Sequence, residues 1–105
     1  MKLLFEDEKK NISLETPNGN QLLLSEAEGG VLLSDENGNT ISMTADGITL
    51  ESDKDIILKA GGDIKVEGIN VELKASANLK GEGSAGTELS SSATTVIKGS
   101  LVQIN

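Results

Sequence analysis

The chain has almost no aromatic residues: Phe5 is the only one among 105 residues, and Trp and Tyr are absent. Aromatic side chains usually supply much of the buried area of a small core. Here Ile, Leu, Val and Ala must supply it, in short pairs separated by polar residues. Because ordering one residue costs about 1–2 kcal/mol, a strand with two apolar side chains needs neighbours, either its own repeats or other copies of the chain.

The sequence also lacks cysteine and histidine and is poor in positive charge. Without cysteine there is no disulfide and no thiol chemistry, and without histidine the commonest metal ligand and general base is missing. Nine Lys and Arg residues against 17 Asp and Glu residues leave a net charge of −8. This balance disfavours nucleic acid and anionic membranes as binding partners. We therefore expect no cofactor and no nucleic-acid partner.

What the chain does contain is an eight-residue repeat between residues 48 and 105. Apolar residues two apart share one face of a strand, and a short fixed period is typical of stacked β repeats. We expect a small residue in each unit to allow a bend into the next strand. The apolar phase slips by one residue near 67–70, which predicts a bulge or a tightened corner. The small residues recur at every eighth position: Ser52, Ala60, Gly68, Ser76, Ser84, Ser92 and Ser100.

Residues 1–47 carry a looser repeat, in which apolar pairs recur every nine or ten residues after a charged lead-in. No segment has a 3.6-residue period, so we predict essentially no helix. The sequence thus predicts one all-β domain over residues 1–105, with tight eight-residue units from residue 48 onward. Glycine-containing turn signals separate the apolar pairs: Asn18-Gly19, Gly29-Gly30, Asn37-Gly38 and Asp46-Gly47.

Short motifs that elsewhere carry chemistry lack the context they need here. Residues 81–86 match G-x-G-x-x-G, but no helix pattern follows them. Gly61-Gly62-Asp63 occurs once, whereas the calcium-binding repeat recurs every nine residues. The carboxylate pairs Asp53/Asp55 and Glu26/Glu28 have no predicted cleft, and the hydroxyl-rich run 90–95 has no general base. We therefore predict no catalytic residue, no metal site and no enzyme activity.

Two stretches resemble a known family. Residues 49–62, TLESDKDIILKAGG, followed by residues 63–66, resemble the needle of type VI secretion spike proteins, the VgrG family. They are equally similar to the carboxy-terminal needle of the central spike of contractile phage tails. The last residues, 97–105, resemble the end of that needle. The strict Val-x-Gly octads of some phage needles are absent, so the phage and type VI branches both stay open.

The resemblance implies a fold and an assembly. Three chains would wind together as an intertwined triple-stranded β-helix, a homotrimeric triangular prism in which each octad forms one side. Closing the sheet in this way leaves no long open edge. The side chains implied to point to the trimer axis are Ile48, Leu50, Ile56, Leu58, Ile64 and Val66.

The resemblance also implies partners. The family's spike carries a small PAAR-repeat cone at its blunt end, which predicts a tip platform made of Leu101, Val102, Ile104 and Asn105. The family's hub domains, which join the needle to the tail tube, are missing from this sequence. We therefore expect the chain to be the needle part of a longer spike protein.

The implied function is structural. The needle would be assembled in the bacterial cytoplasm or in the phage particle, then injected across the target envelope with transient contact to the target membrane. One alternative is a trimeric β-helical stem of a phage tail fibre or adhesin. Another is a single-chain β-solenoid enzyme acting on polysaccharide, which the lack of histidine, aromatic residues and long loops disfavours. The mass in solution separates this monomeric solenoid from both trimers.

Overall fold

A computed structural model describes residues 1–105, and its regular structure consists of β-strands without any helix. Six strands of five residues pair antiparallel, each with the next one along the chain. The predicted all-β class and the predicted absence of helix are confirmed, whereas the winding of three chains stays a prediction. The strands are β1 (Lys2–Glu6), β2 (Asn11–Glu15), β3 (Gln21–Ser25), β4 (Gly30–Ser34), β5 (Thr40–Thr44) and β6 (Gly47–Glu51).

The turns between the strands lie where the sequence has its turn residues. Gly19, Gly29, Gly38 and Gly47 all have positive φ angles, a conformation that glycine adopts without the steric cost of a Cβ atom. Pro17 lies in the β2–β3 turn, where its missing N–H removes no bond between strands. The turn positions predicted for residues 11–47 are therefore confirmed.

The sheet has no covered core within the chain. No apolar residue is buried, and the buried residues are Ser13 and Ser25. Because side chains alternate along a strand, each strand places two apolar residues on the same side of the sheet. We call this side the apolar face; it consists of Leu3, Phe5, Ile12, Leu14, Leu22, Leu24, Val31, Leu33, Ile41, Met43, Ile48 and Leu50.

Beyond Glu51 the chain forms no strand pairs with itself and bends at regular intervals instead. Consecutive bends begin eight residues apart, except that the third and fourth begin seven apart. Each small residue of the predicted repeat stands at a bend or directly before one, as the sequence predicted. The bends lie at residues 53–54, 61–62, 69–70, 76–77, 84–85, 92–93 and 100–101.

The single shorter step explains the slip in the apolar pattern. Segment 71–75 has five residues between its bends, whereas the other complete segments have six. It directly follows residues 67–70, where the sequence predicted either a bulge or a tightened corner. The bends on either side of it, 69–70 and 76–77, have two residues like the others, so the choice between a bulge and a tightened corner stays open.

The chain divides into two compact units, Met1–Ile64 and Lys65–Asn105. The first contains the sheet and the first two bends, and the second contains the other five bends. The predicted single domain, with its change of repeat length at residue 47, stays a prediction. The structure contains no helix of the length and apolarity needed to cross a lipid bilayer.

Candidate assembly surface

Strand register joins the apolar residues of the sheet into two continuous rows. Opposed apolar pairs of this kind contribute about 0.2–1 kcal/mol each, and no charged residue interrupts either row. The result is one apolar surface across all six strands. One row contains Leu3, Leu14, Leu22, Leu33, Ile41 and Leu50; the other contains Phe5, Ile12, Leu24, Val31, Met43 and Ile48.

The opposite face of the sheet is mixed in character. It carries the charged strand residues, together with serine and threonine hydroxyls and three half-buried leucines. Gln21 Nε2 donates a hydrogen bond of 2.9 Å to Glu15 Oε1 across β2 and β3. Glu6 forms an ion pair of 3.3 Å with Lys9 in the following turn. The buried Ser13 and Ser25 lie on this face as well, so it differs from the apolar face in its polar groups and not in being more exposed.

A groove of about 600 Å³ opens where the apolar face meets the end of β6. Ile56, which lies beyond the first bend, contributes to its wall. The groove therefore connects the sheet to the start of the eight-residue repeats. Its apolar lining is Leu14, Leu22, Leu33, Ile41, Leu50 and Ile56.

The β4–β5 turn beside this groove is organised by one carboxylate. Asp35 Oδ1 accepts hydrogen bonds from the backbone amides of Asn37 and Asn39, both at 2.9 Å, and Oδ2 accepts from Asn39 Nδ2 at 2.8 Å. The backbone amide of Asn39, then its side chain, and the amide of Asn37 together lower the pKa of Asp35 to about 2. Hydrogen bonds to the charged form favour that form, so Asp35 is ionised at neutral pH.

The same turn contacts the first bend of the repeat region. Ser52 Oγ donates a hydrogen bond to Asn39 Oδ1, and Ser52 Oγ accepts one of 3.1 Å from the amide of Lys54. The carboxylate of Asp53 lies against Gly38, where a Cβ atom would overlap it. The turn thus positions the chain as it leaves the sheet.

The six residues predicted to form the trimer core lie in different parts of the chain. Ile48 and Leu50 belong to the two rows on β6, and Ile56 lines the groove together with Leu50. Leu58 and Ile64 follow in the first unit, and Val66 begins the second unit's apolar residues. All six are at least half exposed in the single chain. Their orientation toward a trimer axis stays a prediction.

The four residues of the predicted tip platform are all exposed. Leu101 lies in the last bend, and Val102, Ile104 and Asn105 follow it. Val102 is the least exposed of the three apolar ones, at 49% against 82% for Leu101 and 85% for Ile104. A Cβ atom at Gly99 would lie 3.6 Å from Val102 Cγ2, so the chain is close to itself at this bend. Binding of a partner here stays a prediction.

The glycine motif at residues 81–86 occupies a bend. Gly83 and Gly86 flank the bend at 84–85, and a Cβ atom at Gly83 would overlap the carbonyl oxygen of Gly86. The motif therefore lies at a crowded corner, without a helix after it. The structure contains no group of three or more Asp and Glu side chains placed to hold a metal ion.

The sequence reasoning left most of the apolar face without an assembly role. It identified the alternating pairs in residues 11–47 but placed the start of the trimer core at Ile48. The sequence did contain a signal for the face, because each apolar pair precedes or follows a turn. Hairpin turns place such apolar pairs side by side. Only the observed register, however, lines them up into rows with Ile48 and Leu50.

Comparison with protein families gave a match over most of the chain. The model of the phage baseplate V C-terminal trimerisation domain matches residues 11–105, whereas no curated protein matches the chain. The family match confirms the resemblance to the carboxy-terminal needle of VgrG-type and phage spikes. It supports self-association as a homotrimer and a structural role in such a spike.

Proposed function

Since the chain belongs to the phage baseplate V C-terminal trimerisation domain family, we propose that it is the membrane-piercing needle of a contractile injection machine, in a phage tail or a type VI secretion system. The observation that carries the proposal is the family match over residues 11–105. The regular bends from residue 53 onward support it, because they divide the chain into segments of nearly constant length. Equal segments suit the equal sides of a prism.

The proposed needle is an intertwined homotrimer. From residue 52 onward the backbone forms no strand pairs within the chain, and its apolar side chains are exposed. Backbone polar groups that are removed from water need hydrogen-bond partners, and two other chains supply them. Apolar side chains such as Leu58 and Val66 then pack against their equivalents on the axis.

The proposed work of the needle is mechanical and involves no catalysis. The spike is assembled in the bacterial cytoplasm or in the phage particle and is then driven across the target envelope. A closed trimeric prism suits this task because its strand edges would be paired along its length, leaving unpaired groups only at its ends. The hub and tail-tube proteins would push it through domains that precede the needle.

The proposed partner at the free end is a PAAR-repeat cone. Leu101, Val102, Ile104 and Asn105 from three chains would form a three-fold platform. Exposed apolar side chains beside unpaired backbone groups favour a covering partner, and the exposure of Leu101 and Ile104 supports this role. The cone would sharpen the spike.

Two experiments test the proposed function. Sedimentation equilibrium at micromolar concentration should give three times the 10.9 kDa chain mass; a folded monomer would refute the homotrimer. In a pull-down, deletion of residues 101–105 should abolish capture of the cognate PAAR protein while the trimer persists. Ile104→Asp should weaken capture, and Gln103→Asp is its matched control. Equal capture by the truncated trimer would remove the tip from the proposal.

A further inference from the structure

We propose that charged residues in the repeats of the second unit fix the register in which copies of the chain lie beside one another. The proposal rests on the proposed homotrimer, but it concerns which segments become neighbours and not whether the chains associate. We call these residues the charge ladder; they are Lys65, Glu67, Glu72, Lys74, Lys80, Glu82 and Glu88.

The charge ladder lies on one side of the repeat segments. The segments between consecutive bends contain no turn or bend residue, so their side chains alternate between two sides as in a strand. Apolar residues such as Ile64 and Val66 take one side, and the charged residues take the other. Lys80 Nζ lies 3.4 Å from Glu82 Oε2, as expected for two side chains on the same side of a segment.

Each ladder residue has a fixed position relative to the bend that follows it. The fourth residue before each bend forms one column, and the second residue before each bend forms another; both columns lie within the second unit. In each column the sign of the charge alternates from one segment to the next, and two charges in one segment have opposite signs. The first column contains Lys65, Glu72, Lys80 and Glu88; the second contains Glu67, Lys74 and Glu82.

The alternation depends on the one shorter segment. A constant step of eight residues from Glu67 reaches Ala75, which is uncharged. The bends before and after segment 71–75 begin seven residues apart, so the column continues at Lys74 instead. The first column is restored in the same way, and the charge ladder therefore becomes visible only once the bends are located.

The ladder charges discriminate between two registers. Beyond residue 51 no strand pairs form within the chain, so the neighbours of each segment, about 4.8 Å away, would be segments of other copies. If equal segments were neighbours with their bends aligned, each ladder residue would lie beside its own equivalent. If each segment lies beside the next segment of another copy, Lys74 lies between Glu67 and Glu82. Because opposite charges across two strands stabilise the pair and like charges destabilise it, the ladder favours the second register.

The apolar side chains discriminate poorly between these registers. Adjacent segments present similar aliphatic pairs, Ile64 with Val66 and Val71 with Leu73. A slip by one whole segment therefore exchanges one aliphatic pair for another. Specific association of repeating patterns needs repulsive contacts that exclude such slips. The charge ladder supplies them, because a slip by one segment places like charges beside each other along both columns.

Two lysines provide a charge-matched test. Lys74→Glu and Lys98→Glu change the net charge equally, but Lys74 has charged column neighbours in both adjacent segments, whereas Lys98 follows Ser90 in its column. Lys74→Glu should lower the melting temperature of the trimer by about 5 °C or more, and Lys98→Glu by less than about 2 °C, because only the former places like charges beside each other.

Further variants separate the ladder from an effect of net charge. Glu67→Lys combined with Glu82→Lys changes the net charge of each chain from −8 to −4, since each substitution adds two positive charges. This relieves general repulsion but surrounds Lys74 with like charges, so we expect a lower melting temperature than that of the unmodified protein. Adding Lys74→Glu restores alternating signs in the column and should recover at least about half of the loss.

Disulfide formation measures the register directly, because the protein has no cysteine of its own. Ser90 and Lys98 are second residues before consecutive bends and belong to no charged pair of the ladder. The proposed register places position 90 of one copy beside position 98 of another, within the Cα separation that a disulfide spans. Oxidised Ser90→Cys/Lys98→Cys should therefore run as a covalent trimer on a non-reducing denaturing gel, whereas Ser90→Cys alone should run as a single chain.

The outcomes separate this inference from the proposed function. If the unmodified chain sediments as a folded monomer, the homotrimer is wrong and the inference falls with it. If the unmodified chain is a trimer but Lys74→Glu melts like Lys98→Glu, the homotrimer stands and the charge ladder does not fix its register. Linked pairs of Ser90→Cys chains, without a covalent trimer from the double variant, would show that equal segments are neighbours and would also overturn the inference.

Discussion

The two halves of this chain have similar apolar patterns but different connections. Residues 2–51 place apolar residues two apart in short strands, and segments 55–60, 63–68 and 71–75 also carry apolar residues two apart. In the first half, however, turns of two to five residues reverse the chain, so each strand returns beside the previous one. In the second half, two-residue bends redirect the chain without returning it. The connection, and not the strand, decides where the backbone finds its hydrogen-bond partners.

This difference has an energetic consequence. The sheet satisfies its inner backbone groups within one chain and lacks only a cover for its apolar face. The repeats lack both the cover and the hydrogen-bond partners. Since a buried N–H or C=O group without a partner costs about 1–3 kcal/mol, the repeat half should depend more strongly on assembly than the sheet half.

The largest expected effect is that of a charge at the predicted axis of the repeat half. Leu58→Asp should prevent trimer formation, because an unpaired buried charge costs about 3–5 kcal/mol and three of them would meet. Ile57→Asp is the matched control, since Ile57 neighbours Leu58 on the other side of the segment and is 80% exposed. Sedimentation equilibrium and thermal melting compare the two. A Leu58→Asp trimer that melts like the unmodified protein would show that Leu58 faces outward.

Hydrogen exchange should sharpen the comparison between the halves. In the assembled protein, amides in segments such as 63–68 should exchange slowly, because other chains hold them. When dilution or a variant such as Leu58→Asp lowers the trimer fraction, the protection of these amides from exchange should fall in proportion. Amides in the middle of β3 and β4 should keep part of their protection, because the sheet is paired within one chain. Mass spectrometry of peptides from both halves measures this. Equal loss in both halves would mean that the sheet does not persist without the trimer.

A smaller effect is expected at the contact between the sheet and the first bend. Gly38→Ala should destabilise the protein by roughly 1–2 kcal/mol, because the left-handed conformation of Gly38 is costly for a residue with a Cβ atom; the Asp53 carboxylate that this atom would overlap is the end of a flexible side chain and can move aside. Gly61→Ala is the control, since Gly61 has open space around it and no positive φ. Chemical denaturation gives both values. Equal effects would mean that the left-handed conformation of Gly38 is unimportant for stability.

The smallest expected effect is the pH dependence of the β4–β5 turn. The pKa of Asp35 is lowered from 3.8 to about 2 in the folded chain, so its contribution to stability is complete above pH 3.8 and is lost as the pH falls toward 2. Asp35→Asn should abolish this part of the pH dependence, which melting curves between pH 2 and 5 can detect. The control is Glu36→Gln in the same turn. An unchanged pH profile in Asp35→Asn would assign the dependence to other carboxylates.

Much of the fold could be predicted, because the relevant signals are local. Glycine at positive φ marks four of the turns or strand starts, and alternation of apolar residues predicts which side of each strand they share. The eight-residue step predicted where the chain bends. The slip near residues 67–70 was also visible, but its cause was not, because a bulge and a tightened corner give the same one-residue shift in the pattern.

The sequence by itself determined the all-β character, the positions of the turns and bends, and the need for partners, since these follow from the spacing of glycine, small and apolar residues along the chain. Only the tertiary structure decided that the first six strands pair with one another, because pairing depends on how fully each connection reverses the chain. It also decided the strand register, which unites twelve separate apolar side chains into one face. A row across six strands arises from pairing between residues that are far apart in the sequence, so no local sequence pattern predicts it.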